Sequence, residues 1–80
     1  MITAQLLLVT ARDCHLCDHA HDVLAAIGVA AREVDVAGEE ACRLAEQGIP
    51  LAFPPVLTDG DHVLAYGRFS ERRLRKELTR

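Results

Sequence analysis

Eighty residues, half of them hydrophobic and 26% charged, describe one ordinary globular domain over 1–80 and exclude an intrinsically disordered chain. No apolar run reaches 18 residues, which excludes an α-helical membrane span. A net charge of −3, with one tyrosine, two phenylalanines and no tryptophan, argues against nucleic-acid binding, which favours a basic surface with interleaved aromatics.

The chain opens on Gln5–Thr10, rich in Leu and Val, which reads as a buried strand. Its apolar core Leu6–Val9 has no basic residue ahead of it, unlike a secretory signal. After a loop at Ala11-Arg12-Asp13, a helix is expected from about Cys14 to about Ile27. Its apolar stripe is Leu16, Ala20, Val23, Leu24 and Ile27, and Gly28 is the stop. The β-branched residues of Val29–Val36 predict a second strand, and Gly38–Gln47 a shorter helix stopped by Gly48. Ile49–Phe53 reads as a loop closed by Pro54-Pro55. Val56–Thr58 and His62–Tyr66 then form a hairpin, with Asp59-Gly60 suited to a type I′ turn. Ser70 is the expected N-cap of a final helix that turns Leu74 and Leu78 inward. The order is therefore β-α-β-α-β-β-α, an α/β domain whose core must be compact, since a chain this short buries only about 60% of its unfolded surface.

The chain has three cysteines, Cys14, Cys17 and Cys42, an odd count that does not suit a secreted disulfide framework and favours a reducing cytoplasm. A loop closed between Cys14 and Cys17 is so short that the chain-entropy gain is roughly 2 kcal/mol, against about 4.7 for a 100-residue loop. The spacing therefore points to chemistry, either thiol–disulfide exchange or metal binding. On the first helix, Cys17 lies roughly 80° from the centre of the apolar stripe and Cys14 roughly 140°. One sulfur is thus open to attack a substrate, and the other is shielded but near enough to resolve a mixed disulfide. The helix start favours a thiolate at Cys14. Arg12 and His15 add positive charge beside it, and Asp13 and Asp18 oppose them. Cys42, in a helical pattern with Ala41, Leu44 and Ala45, reads as a small buried hydrophobe.

The run Leu7-Leu8-Val9-Thr10 followed by Cys14-His15-Leu16-Cys17 and a helix resembles the active site of glutaredoxins and the wider thioredoxin superfamily. Phe53-Pro54-Pro55-Val56 through Gly60, and Tyr66-Gly67-Arg68-Phe69-Ser70, are similar to that family's cis-proline strand, hairpin and final helix start. The small glutaredoxin-like proteins are the nearest resemblance. It implies a thioredoxin-like, four-stranded mixed sheet flanked by three helices. It also implies a thiol–disulfide oxidoreductase in which Cys14 is the nucleophile and Cys17 the resolving thiol. Substrates would be protein disulfides or mixed disulfides with a low-molecular-weight thiol such as glutathione, a co-substrate rather than a bound cofactor, handled by a monomer. Of the two candidate prolines, Pro54 fits the family's cis position by its distance from Asp59-Gly60. It also follows Phe53, which has an N–H to pair with substrate, whereas Pro54 itself has none to offer before Pro55. Phe53, Pro55, Gly67, Arg68 and Ser70 are the implied substrate-binding positions, with Arg68 and the helix after Ser70 able to receive a carboxylate. Gly67 is followed by Arg68, not by the second glycine usual in glutathione-binding members, and Arg12 is the only basic residue shortly ahead of Cys14.

Two rival readings remain at this level. Cys14, Cys17, Asp18 and His21 share a helical face and include zinc-ligand types, and a non-catalytic thioredoxin-like adaptor would keep the same pattern. His19, His21 and His62 read as exposed side chains rather than ligands. Six of the nine basic residues fall between Arg68 and Arg80 with only Glu71 and Glu77 among them, a local balance of +4 against −7 elsewhere. A solvated terminal helix accounts for this; an anion-attracting rim beside a site is the sharper alternative.

Overall fold

Successive side chains of a strand point to opposite faces, so the apolar run at Leu7–Thr10 demands cover on both sides. The computed structural model, which describes residues 6–78, supplies it. Gln5, the expected start of the first strand, and Arg80 lie outside the described residues. The elements are β1 (Leu7–Thr10), α1 (His15–Ala26), β2 (Arg32–Asp35), α2 (Glu39–Glu46), β3 (Val56–Thr58), β4 (Val63–Tyr66) and α3 (Glu71–Leu78). The chain is α/β, with a four-stranded mixed sheet in the order β2-β1-β3-β4. β1 and β2 are parallel, as a strand–helix–strand crossover allows, and β1–β3 and β3–β4 are antiparallel.

Each face of the sheet has its own apolar layer. Leu7, Val9, Val34 and Val56 pack with Ala41, Leu44 and Ile49 on the α2 side. Leu8 and Leu57 pack with Ala20, Val23, Leu24, Phe69 and Leu74 on the side of α1 and α3. β1 and β3 are thus buried on both faces and lie at the centre, while β2 exposes Arg32, Glu33 and Asp35. The second strand is shorter than the expected Val29–Val36: its ladder with β1 runs from Arg32 to Asp35.

The helix boundaries follow the capping chemistry. Cys14 and Ile27 cap α1, with Gly28 at φ 73° just beyond. That is a left-handed conformation open to glycine. Gly38 and Gln47 cap α2, and the Ser70 hydroxyl accepts the Arg73 N–H at 3.4 Å to open α3.

The hairpin corrects one expectation. Asp59 does not take the positive φ that a type I′ turn needs at both central positions; among the described residues only Asp13 does so without being a glycine. Instead Asp59 Oδ1 accepts the N–H groups of Asp61 and His62 at 2.9 and 2.8 Å. The ladder slips by one residue between Leu57 and Thr58. A side chain that bonds its own backbone offers the loop a wider turn than two residues would make.

Candidate functional site

Parallel and antiparallel registers together decide which loops share an end of the sheet. Thr10, the last residue of β1, is level with Asp35 of β2. Continuing the β1–β3 register by one step sets it level with Pro55. Val56 faces Tyr66, and the Gly67 N–H donates to the Pro55 carbonyl at 2.9 Å. The loop carrying Arg12, Asp13 and Cys14, the Pro54-Pro55 pair and the Tyr66-Gly67 corner therefore all lie at one end of the sheet. Residues separated by up to 55 positions in sequence meet there.

The approach to α1 is set by two backbone conformations. Asp13 sits at φ 51°, a left-handed region that aspartate tolerates better than most residues. Cys14 returns to extended geometry at φ −109°, ψ 105° and caps the helix. Its Sγ accepts the Cys17 N–H at 3.1 Å, and its carbonyl accepts the N–H groups of Cys17 and Asp18 at 3.1 and 3.2 Å. The sulfur is thus held at the positive end of a 12-residue helix. Cys17, one turn on, is 4% exposed and Cys14 is half-buried, the asymmetry expected from helical geometry. The two Sγ atoms are in disulfide contact, and the Cα atoms are 5.2 Å apart, inside the range a bridge requires.

Arg12 and His15 are both exposed. Arg12 lines a shallow hollow with Thr10, Glu33 and Asp35, where the Thr10 hydroxyl donates to Glu33 Oε2 at 2.8 Å. Gly67, at φ 66°, makes the turn from β4 toward α3, a conformation that suits glycine. Arg68 and Ser70 follow it and are exposed. Phe69 is buried between them, and its carbonyl lies 3.1 Å from His19 Nε2, which ties α3 to the helix bearing the cysteines.

Three sequence expectations are corrected here. The cis peptide bond joins Pro54 to Pro55, so the cis residue is Pro55 and not Pro54. Pro55 is fully buried and its carbonyl is held by Gly67. The residue ahead of it is consequently Pro54, which offers a carbonyl but no N–H, and Phe53 stands one position further out, 69% exposed. Cys42 is exposed, not buried, because the inward face of α2 is taken by Ala41 and Leu44. Leu16, assigned to the apolar stripe, is 41% exposed. The first turn of α1 directs Cys17 to the core instead, and the stripe continues through Ala20, Val23 and Leu24.

Tyr66 is the residue that sequence reasoning missed. It is 66% exposed and lines an apolar hollow with Phe53, Pro50, Ala52 and Val56. An aromatic at a strand end just before a turn glycine was the available signal. For the metal reading, no group of three or more His, Cys, Asp or Glu side chains among the described residues is placed to hold an ion. His21 instead approaches Glu33 at 3.5 Å. Among the same residues, no helix is long and apolar enough to cross a membrane.

Compared with models of known protein families the chain matches none, and a comparison with curated proteins finds no relative.

Proposed function

We propose that this chain is a glutaredoxin-like thiol–disulfide oxidoreductase with a thioredoxin-type arrangement of its β-α-β-α-β-β-α elements. One observation carries the reading: the Cys14 sulfur caps α1 and accepts the Cys17 N–H, with the Cys17 sulfur buried directly behind it. A helix N-terminus favours the thiolate over the thiol, so reduced Cys14 is the stronger nucleophile of the pair. Cys17, out of solvent but in contact, is placed for the second step.

In that chemistry the Cys14 thiolate attacks one sulfur of a substrate disulfide. A Cys14–substrate disulfide forms, and the other substrate sulfur departs as a thiolate that takes a proton from water. Cys17 then loses its proton and attacks the Cys14 sulfur, forming the Cys14–Cys17 disulfide and releasing the second substrate thiol. The substrate gains two electrons and the protein loses two. A low-molecular-weight thiol such as glutathione, or a dithiol protein, restores the reduced pair. Arg12 provides positive charge on the approach, with the exposed His15 beside the nucleophile. Pro55 and Gly67 lie at the same end of the sheet, and with Phe53, Arg68 and Ser70 they are the positions assigned to the substrate. Substrates of this class, in a reducing cytoplasm, are protein disulfides and mixed disulfides.

The test follows a single turnover of the reduced full chain with oxidised glutathione or a disulfide-bonded protein as substrate, by mass spectrometry. Cys14→Ser is expected to abolish turnover, Cys17→Ser to accumulate a mixed disulfide at Cys14, and Cys42→Ser to leave turnover intact. Turnover surviving in Cys14→Ser, or lost equally in Cys42→Ser, would overturn the assignment.

A further inference from the structure

An edge strand offers a row of backbone groups to whatever can pair with it, and proteins commonly blunt such edges with charge. The two edges of this sheet differ in that respect. β2 carries the exposed charged residues Arg32, Glu33 and Asp35, and Arg32 is clamped to Glu40 through both terminal nitrogens. β4, at the other edge, reads Val63-Leu64-Ala65-Tyr66 and has no charge at all. Among the described residues its only strand neighbour is β3.

The register tells which β4 groups are free. Gly67 donates inward to Pro55, and Ala65 faces Leu57. Because antiparallel residues alternate between inward and outward pairing, Tyr66 turns its N–H and C=O groups away from the sheet, while Leu64 stands unpaired where the ladder slips between Leu57 and Thr58. Alongside runs a groove of about 420 Å³ whose lining includes Pro50, Leu64, Tyr66, Phe69, Arg68 and Arg73. Arg68 and Arg73 are exposed, and neither forms an ion pair among the described residues, whereas Arg43 and Arg75 are matched by Glu39 and Glu71 on their own helices.

We propose that the β4 edge is a docking site for an extended, acidic polypeptide segment of a partner protein. The segment adds as a fifth strand outside β4 and sets its carboxylates against Arg68 and Arg73. Main-chain pairing at the β4 edge, centred on Tyr66, supplies affinity without sequence preference, and the two cations choose the charge of the partner. A second copy of this chain is the poorer occupant. Two-fold pairing of β4 with β4 sets both copies of Arg68 and Arg73 on the same face of the joined sheet, where their charges repel. The inference does not rest on the redox reading, since strand addition requires no cysteine.

The test is a titration of the full chain with a fluorescent ten-residue peptide of alternating Glu and Val, free of cysteine, against its Lys–Val counterpart, with amide hydrogen exchange as the site readout. The Glu–Val peptide is expected to bind at least tenfold more tightly, with new protection concentrated in β4 at Tyr66. The double variant Arg68→Glu/Arg73→Glu should raise its Kd roughly tenfold, the weight of two exposed charge contacts turned repulsive. Arg73→Glu alone should weaken binding while turnover of oxidised glutathione stays unchanged. Equal binding of the two peptides, protection at any other element, an unaltered Kd in the double variant, or self-association through β4 in place of peptide uptake would each overturn the proposal.

Discussion

Replacing Cys14 by alanine removes the side-chain acceptor that caps α1, and the size and pH dependence of the loss test the chemistry assigned to that sulfur. Cys14 Sγ accepts the Cys17 N–H at 3.1 Å, so at low pH the alanine variant forfeits an ordinary N-cap, about 1 kcal/mol. That is a drop in Tm of roughly 6 °C for a domain of this size. An anion at the same point also meets the helix dipole, worth about 1 kcal/mol more when the thiolate forms in this half-buried position. The sign follows from linkage. A thiol whose folded pKa lies below its unfolded value contributes stability that is fully present above the unfolded pKa and is lost as the pH falls through the folded one. The measurement is urea unfolding of the reduced protein, with Cys17 and Cys42 replaced by serine so that Cys14 is the only thiol. The stability gap between this protein and its Cys14→Ala derivative is expected to widen as the pH rises from about 5 to about 9. Cys14→Asp, whose carboxylate caps at all these pH values, should show no such widening. A gap that is flat or narrows with rising pH would mean that the helix end does not favour the thiolate, and the nucleophile assignment would fall with it.

Further outcomes follow from packing and turn geometry. Leu57 is wholly buried between β1, α1 and α3, so Leu57→Ala should cost about 3 kcal/mol in urea unfolding. Leu16→Ala, at an exposed position of equal hydrophobicity, should change stability by no more than about 0.5 kcal/mol. The N–H groups of Asp61 and His62 hold the Asp59 carboxyl below the usual carboxylate range. Asp59→Ala should therefore cost about 1 kcal/mol at neutral pH. Since the folded pKa is the lower one, that stabilisation is present above the unfolded aspartate pKa and lost as the pH falls through the folded value. The deficit of the variant, followed by unfolding across the acid range, should shrink on acidification.

Local rules carried the sequence a long way here. Strand-forming runs, capping residues and stop glycines depend on neighbours within a few positions. That is why β1, α1, α2 and α3 could be located from Leu7-Leu8-Val9, Cys14, Gly28, Gly38, Gly48 and Ser70 alone. Helical periodicity likewise put Cys17 nearer the core than Cys14, because the angle between two residues on a helix is a property of the helix, although the stripe it centred on Leu16 is turned toward Cys17 in the structure.

What the sequence could not reach were the quantities fixed by partners distant along the chain. Pro55, the cis residue of the pair, is buried and its carbonyl accepts the N–H of Gly67, twelve positions away. Whether Cys42 or Ala41 turns inward depends on which side of α2 meets Val34 and Val56. The exposure of Leu16 and Tyr66, and the contrast between a charged β2 edge and an apolar β4 edge, arise only once the strand order is known. Composition and periodicity determine what each element is, since those forces act over a turn or a pleat. Only the packed tertiary structure decides which surfaces remain uncovered, because burial is shared among elements and no segment sets its own.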